Sequence, residues 1–265
     1  MYDFAYHRPK SLAEAVAALK GKPEGRAMSG GMTLIPTLKQ RLAKPSDVVD
    51  LNGIKELAGI KVEGNGVTIG GMTRHADVAS SAEVKAAIPA LAHLASHIGD
   101  PQVRNRGTIG GSVANNDPAA DYPAAVLALN ATITTNTRKI AADDFFKGLF
   151  ETALEEGELI TAISFPKAEK AGYMKFPNPA SRYAMVGVFV AKTAGGVRVA
   201  VTGAGPCVFR FKAMEDALSK NFSPDAIKDI KVPADGLNSD IHGSAEYRAH
   251  LVTVMARRAV DQANK

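Results

Sequence analysis

Cysteine is almost absent from this sequence, since Cys207 is the only one among 265 residues. A single thiol excludes an internal disulfide framework, and it excludes an iron–sulfur cluster or a multi-cysteine zinc site held by this chain alone. The histidines offer no substitute, because His93 and His97 are the one pair at ligand spacing and no third ligand is placed nearby. We therefore predict no metal site, and one-electron chemistry would require a metal centre on a partner.

Long apolar runs and blocks of like charge are missing as well. No run reaches the ~20 residues that span a membrane, and the start MYDFAYHRPK lacks the apolar stretch of a secretory signal. Basic residues outnumber acidic ones by 32 to 27 without a polybasic block, which favours a mixed solvated surface over nucleic-acid binding. We expect a globular cytoplasmic protein and leave open a peripheral association with the inner membrane face.

Glycine pairs followed by short polar residues are the most informative feature that is present. The stretch 104–123 reads RNRGTIGGSVANNDPAADYP, and SGGMTLIP occupies 29–36. Glycine leaves room for a close-lying anion, and successive backbone N–H groups can converge on phosphate oxygens. A helix opened by Pro118 would add its positive end. Both stretches are predicted to bind a pyrophosphate, whereas Gly70-Gly71 is as well explained by a turn.

The remaining pattern predicts an α+β chain with a boundary near 166–172. A capping-box pattern at Ser11 begins the first helix, and Gly64-Asn65-Gly66 closes a hairpin. No nucleophile or catalytic base stands out; Ser112, for example, lacks the G-x-S-x-G setting. The predicted helices cover 12–19, 38–42, 82–98, 119–129, 212–218, 224–229 and 245–263, and the strands 26–28, 47–51, 60–63, 67–70, 131–135, 159–165, 173–176, 184–192 and 197–203.

Taken together, several segments carry a resemblance to a known family. The segments are SGGMTLIPTLKQRLAKPSDVVDLNGIKELAGI, TIGGMTRHADV, HIGDPQVRNRGTIGGSVANNDPAADYPAA, GELITAISFP, YMKFPNPASRYAMVGV and AEYRAHLVTVMARRAV. They resemble the FAD-binding medium subunit of the molybdenum hydroxylases, of the carbon monoxide dehydrogenase and xanthine dehydrogenase type, over essentially the whole chain.

The resemblance implies an FAD-binding domain at 1–170 and a C-terminal domain at 171–265. The first would be of the vanillyl-alcohol-oxidase-like, PCMH-type fold, with subdomains at about 1–57 and 58–170. The second would hold a three-stranded antiparallel sheet and a helical bundle. The implied FAD-binding residues are Ser29, Gly30, Gly31, Met32, Thr33, Leu34, Thr108, Ile109, Gly110, Gly111, Ser112, Asn115, Asp121, Leu159, Ile160, Lys175 and Tyr183.

The implied roles follow position in the motifs. The two glycine stretches would wrap the pyrophosphate, with Asn115 and Asp121 on phosphate, ribose or flavin edges. Leu159 and Ile160 would pack along the adenine or ribitol, and Lys175 and Tyr183 would lie at the isoalloxazine ring.

The implied partners are a small subunit with 2Fe–2S clusters and a large molybdopterin subunit, assembled as a dimer of heterotrimers. Electrons would pass through FAD to quinone, NAD or oxygen. Ser29, Met32, Ser112 and Arg182 depart from the usual family residues, and Arg182 places a positive charge where an acidic residue often stands. Two alternatives are a free-standing FAD oxidase and a protein that uses the glycine loops for another nucleotide.

Overall fold

A three-stranded parallel sheet opens the chain in the computed structural model, which describes residues 1–265. Its elements are β1 (Ala5–His7), α1 (Leu12–Leu19), β2 (Arg26–Met28), α2 (Leu34–Lys39), β3 (Asp47–Asp50) and short 3₁₀ helices at Leu51–Gly53 and Lys55–Leu57. Strand β3 lies between β1 and β2 and runs parallel to both. Ser11 caps α1 as predicted, because its hydroxyl accepts the Glu14 N–H at 3.2 Å.

A five-stranded antiparallel sheet follows, in the order β4-β5-β10-β6-β7. Its strands are β4 (Ile60–Glu63), β5 (Gly66–Gly70), β6 (Thr132–Thr135), β7 (Lys139–Ala141) and β10 (Ile160–Pro166), and a separate hairpin contains β8 (Phe146–Gly148) and β9 (Glu151–Thr152). The helices are α3 (His75–Ser80), α4 (Ala82–Ala87), α5 (Pro89–Ser96), α6 (Pro101–Arg104), α7 (Ile109–Asn115), α8 (Tyr122–Ala128) and α9 (Ala142–Phe145). The predicted hairpin is present, with Gly64 at φ +54° in its turn.

The C-terminal sheet is antiparallel, with strands in chain order. It contains β11 (Lys170–Pro177), β12 (Ala184–Thr193), β13 (Gly196–Thr202) and β14 (Phe209–Arg210), with α10 (Lys212–Lys220), a 3₁₀ helix at Pro224–Ile227 and α11 (Ala245–Ala263). It therefore has a fourth, two-residue strand beyond the three predicted. No helix in the chain combines the length and the apolarity needed to cross a bilayer.

Strand β12 joins the two largest cores because it is buried on both faces. Val186, Val188 and Val190 belong to the core shared with α10 and α11. Phe189 and Ala191 belong instead to the core of the five-stranded sheet and its helices. The alternation follows from the two-residue period of a strand, which sends successive side chains to opposite faces.

Two predicted helices differ from the structure. The helix predicted over 82–98 is interrupted at Pro89, which lacks an N–H and disfavours the helical conformation for Ile88. Ile88 has φ −144° and ψ 74°, outside the helical region. Pro118 does not open a helix: its carbonyl accepts hydrogen bonds from Thr202 and Gly203. Helix α8 starts only at Tyr122.

The glycine stretches also fold differently from the prediction. Residues 109–115 form a helix instead of a loop, capped by Thr108. Helix α2 begins at Leu34, four residues before the predicted start, and the chain leaves it through Arg41 at φ +60°.

Candidate functional site

A cavity of about 620 Å³ is lined by segments that are far apart in the sequence. Parts of the segments 26–37, 107–121 and 181–183 form its wall. A cavity of this size is typical of cofactor sites. Every residue predicted for the FAD site lines it except Ile109 and Lys175. The residues that do are Ser29, Gly30, Gly31, Met32, Thr33, Leu34, Thr108, Gly110, Gly111, Ser112, Asn115, Asp121, Leu159, Ile160 and Tyr183.

Unpaired backbone donors occur in the segment that follows β2. The N–H groups of residues 30–34 donate no hydrogen bond to any atom of the protein. Gly31 adopts φ +73°, which turns the chain at this point. Successive free N–H groups of this kind form a concave site for an anion. This segment has the donors that a phosphate group requires.

A side-chain bridge fixes the same segment to the end of β3. The Asn52 amide donates to the carbonyl oxygen of Ser29 at 2.8 Å and to Asp50 Oδ1 at 2.6 Å. Asp50 also accepts the hydroxyl of Tyr6 at 2.6 Å. The free donors are therefore held by a network that begins in the parallel sheet.

The second glycine stretch contributes less backbone than predicted. The Thr108 hydroxyl accepts the N–H of Gly111 at 3.1 Å. The N–H groups of Ile109 and Gly110 donate to backbone carbonyls of residues 71–73. Because these donors are already used, the stretch can offer an anion mainly its side chains.

Two of the predicted glycines are explained by close contact between backbones. A Cβ at Gly30 would overlap the carbonyl oxygen of Arg106, and one at Gly110 would lie 2.6 Å from the carbonyl oxygen of Gly71. Backbone atoms cannot rotate away from such a contact. These glycines therefore let chain segments cross at the cavity wall, besides leaving room for a ligand.

Four short polar side chains on the wall have no partner within the protein. Ser29, Thr33, Ser112 and Asn115 line the cavity, and none of their side chains takes part in a hydrogen bond. Hydroxyl and amide groups can both donate to phosphate or ribose oxygens. Together with the free N–H groups, these side chains suit a polar, anionic cofactor.

A buried charge cluster lies behind the wall. The Lys175 ammonium is 2.9 Å from Asp121 Oδ1, and both side chains are about 5% exposed or less. Tyr173 donates its hydroxyl to the same carboxylate oxygen at 2.5 Å. Burial raises the pKa of Asp121 above its ordinary value, while Lys175 and Tyr173 act in the opposite direction.

Lys175 reaches the cavity only through its neighbours. Its ammonium donates to the carbonyl oxygens of His97 at 2.7 Å and Arg182 at 3.0 Å, and the residue does not line the cavity. The contact of Lys175 with a flavin ring, which the resemblance implies, stays a prediction. Lys175 anchors the residue that precedes Tyr183.

Arg182 and Tyr183 lie on the exposed loop between β11 and β12. Arg182 adopts φ +63°, an uncommon backbone conformation for a residue with a side chain. Tyr183 is 46% exposed, and burial of its hydroxyl together with the carboxylates of Asp117 and Asp121 raises its pKa. This loop brings one cation and one aromatic ring to the cavity.

His75 is a cavity residue that the sequence did not reveal. It is buried, its Nδ1 has no hydrogen-bond partner, and its ring packs beside Gly107. Burial, and then the charge of Arg104, lower its pKa to about 4, so the ring is neutral at pH 7. No local pattern distinguishes it from an ordinary histidine at a helix start.

Comparisons with known proteins agree with this geometry. A profile of the family described as "FAD binding domain in molybdopterin dehydrogenase" matches residues 2–168. The glyceraldehyde dehydrogenase medium chain of Sulfolobus acidocaldarius is 39% identical, over 97% of both chains. The carbon monoxide dehydrogenase medium chain of Hydrogenophaga pseudoflava is 36% identical, over 98% of this chain and 96% of the relative.

Solved structures extend the similarity to the complete fold. A structure of carbon monoxide dehydrogenase from Hydrogenophaga pseudoflava aligns with a TM-score of 0.89 and 38% identity, over 99% of this chain and 97% of that one. Quinoline 2-oxidoreductase from Pseudomonas putida 86 aligns with a TM-score of 0.89 and 28% identity, over the same shares.

Proposed function

The chain belongs to the FAD-binding medium subunits of the molybdenum hydroxylases, and we propose that it relays electrons within such an enzyme. It is an oxidoreductase subunit, and its cofactor is FAD. In the proposed relay, electrons leave a molybdenum centre on a large subunit and cross 2Fe–2S clusters on a small subunit. They then reach this chain and pass to an external acceptor.

The observation that carries this proposal is the run of free N–H groups at residues 30–34. These groups would hold the pyrophosphate, and Ser112 and Asn115 would complete its contacts from the opposite segment. Leu159 and Ile160 provide an apolar wall for the adenine or ribitol. When bound, FAD supplies the redox chemistry, and the protein supplies binding, orientation and electrostatics.

Residues beside Tyr183 would tune the site. The Tyr183 ring would cover one face of the isoalloxazine, and the charge of Arg182 would favour an anionic reduced ring. Lys175 would act indirectly, since its hydrogen bond to the Arg182 carbonyl fixes the position of the loop.

Dependence on partners follows from the composition. One cysteine cannot hold an ordinary iron–sulfur cluster, so the metal centres of the relay would lie on other subunits. We place the domain boundary near residue 170, where β10 has ended and β11 begins, and we propose a dimer of heterotrimers as the assembly.

The test compares the isolated chain with the chain co-expressed with the products of neighbouring genes. Alone, it should bind one FAD, contain neither iron nor molybdenum, and show no hydroxylase turnover. With its partners, substrate should reduce the flavin. Substrate-driven flavin reduction by the lone chain would instead favour the free-standing oxidase and refute the relay.

A further inference from the structure

His75 lies on the wall of the first cavity, which is the larger of two neighbouring cavities and has a volume of about 620 Å³. Helix α3 begins at this residue, and the backbone N–H of His75 donates to the carbonyl oxygen of Gly107 at 3.0 Å. The N–H of Ile109 donates in turn to the carbonyl oxygen of Thr73, also at 3.0 Å. The backbone around His75 is therefore fixed against the segment that leads into α7.

The two ring nitrogens of His75 have different surroundings. Nδ1 is buried and has no hydrogen-bond partner. Nε2 lies beside Gly107, where a Cβ would be only 2.5 Å from it. Because glycine places no side chain there, Nε2 is left uncovered at the cavity wall. The histidine ring nitrogens that do form hydrogen bonds within the protein belong to His7 and His97.

The neutral ring of His75 has one donor and one acceptor to place. Burial, and then the charge of Arg104, hold its pKa at about 4, so at pH 7 one of the two nitrogens carries a proton and the other does not. A proton on Nδ1 would be a buried N–H donor without an acceptor, and such donors are rare in folded proteins. A proton on Nε2 would face the cavity, where a ligand can accept it. The surroundings of the ring therefore favour the Nε2–H tautomer.

The Tyr122 hydroxyl supports the same tautomer. It is buried without a partner, and the Tyr122 ring lies beside that of His75, with the ring centroids 5.3 Å apart. If Nδ1 were protonated, the two side chains would bury two donors and only one acceptor, the phenol oxygen. With the proton on Nε2, the hydroxyl is the one buried donor and Nδ1 can accept it. This arrangement avoids the cost of an unpaired buried donor.

The cavity wall beside His75 is largely apolar. Ile98 and Val103 line the same cavity with aliphatic side chains. The carbonyl oxygen of Val103, which would lie 3.2 Å from a Cβ at Gly107, already accepts the N–H groups of Arg106 and Gly107. A hydrogen bond from Nε2–H would therefore be a specific polar contact in an apolar part of the wall, and it would add no charge to the site.

From this geometry we propose that His75 is a further FAD-binding residue, whose Nε2–H donates a hydrogen bond to an acceptor atom of the cofactor. Tyr122 is the positioning residue behind it: its hydroxyl donates to Nδ1 and so holds the proton on Nε2. The inference rests on the proposed function, because it assumes that FAD occupies the first cavity. Phosphate and flavin ring both offer acceptor atoms, and the experiment distinguishes them.

The first measurement reads the tautomer directly. The full chain is labelled with ¹⁵N-histidine, and long-range ¹H–¹⁵N correlation spectra are recorded with FAD bound and after its removal. The His75 signals are those missing from His75→Gln. We expect a protonated Nε2 and an unprotonated Nδ1, and FAD should shift the Nε2 signal. Tyr122→Phe should abolish the preference for this tautomer, whereas Tyr247→Phe, which changes a tyrosine that is 42% exposed on α11, should not.

The second measurement is the Kd of FAD by flavin titration. His75→Leu removes both nitrogens and should weaken FAD binding at least about tenfold, whereas His75→Gln keeps a side-chain N–H donor and should recover most of that loss. His250→Leu, at an exposed position of α11, is the matched control and should change nothing. Tyr122→Phe should weaken binding in the wild-type background and have no further effect in His75→Leu.

The two halves of the cofactor locate the acceptor atom. Riboflavin has the flavin ring without phosphate, and ADP has the diphosphate without the ring. A larger Kd of riboflavin for His75→Leu than for the wild type would place the acceptor on the flavin ring. A larger Kd of ADP would place it on a phosphate group.

Three results would overturn the proposal. The first is a proton on Nδ1 of His75 in the wild-type chain. The second is an FAD affinity that His75→Leu leaves unchanged. The third is an equal loss of affinity in His75→Leu and His75→Gln, because packing of the ring would then matter and its N–H would not. A wild-type chain that binds no FAD at all would instead refute the proposed function, so the two failures are distinguishable.

Discussion

Replacing Lys175 with methionine should destabilise the protein far more than replacing an exposed lysine at the same ion-pair distance. The Lys175–Asp121 pair measures 2.9 Å and both side chains are buried. Removing one member of such a pair typically costs about 3–5 kcal/mol, because the remaining charge is buried without a partner. Asp121 can escape part of that cost by taking up a proton, which at pH 7 requires about 4 kcal/mol for a carboxyl of ordinary pKa.

Protonation gives this variant a pH dependence with a definite sign. Without Lys175, the folded-state pKa of Asp121 rises further above its unfolded value, so the folded state binds the extra proton more tightly. The deficit in unfolding free energy should therefore be greatest at pH 7 and shrink as the pH falls toward 5. Adding Asp121→Asn, which removes the unpaired charge, should restore most of the stability.

Lys192→Met provides the matched control. Its ammonium lies 3.0 Å from Glu169, but the two side chains are 44% and 57% exposed, and exposed pairs contribute below about 1 kcal/mol. Urea unfolding followed by circular dichroism at pH 7 and pH 5 measures all three variants. Equal losses for Lys175→Met and Lys192→Met, or a deficit that does not change with pH, would refute the reasoning.

Three further predictions concern the wall of the first cavity. Thr33→Asp should weaken FAD binding about tenfold or more relative to Thr33→Asn, whose side chain has the same shape as aspartate but no charge. The reason is that a carboxylate near the pyrophosphate is repelled by it. Equal Kd values for the two variants in a flavin titration would contradict this. Gly30→Ala should destabilise the chain by about 2 kcal/mol or more in urea, since its Cβ would overlap the Arg106 carbonyl, whereas Gly195→Ala, which is open to solvent, should change little. The depressed pKa of His75 lets the unfolded state take up a proton that the folded state does not. The free energy of unfolding should therefore fall by about 3 kcal/mol between pH 6.5 and pH 4. In urea unfolding, the His75→Gln variant should lack this contribution to the pH dependence of the unfolding free energy.

Features set by neighbouring residues could be predicted from the sequence. Ser11 stands three residues before the N–H that it accepts, so its cap is visible locally. The cavity-lining segments were found because their glycines and short polar residues lie close together in the sequence. The family resemblance then supplied the cofactor, which spacing alone could not identify.

Features set by distant residues could not be predicted. Glycine has low helix propensity, so the sequence of residues 109–115 does not predict a helix. The helix forms because Thr108 caps it and because carbonyl groups of residues 71–73 accept its first N–H groups. Asp121 and Lys175 are 54 residues apart, and no pattern in the sequence around either residue predicts that they form an ion pair.

The C-terminal sheet supports the first cavity from behind, and the loop between β11 and β12 lines it. Strand β11 carries Tyr173 and Lys175, which hold Asp121 at the cavity wall from behind. Strand β12 sends Phe189 into the core beneath the five-stranded sheet. A cofactor that contacts Asp121 and the loop at Tyr183 therefore binds only the form in which both sheets are docked. Since a ligand stabilises the state that it binds, FAD occupancy should hold the two sheets together, and loosening of their contact should weaken FAD binding by the same free energy.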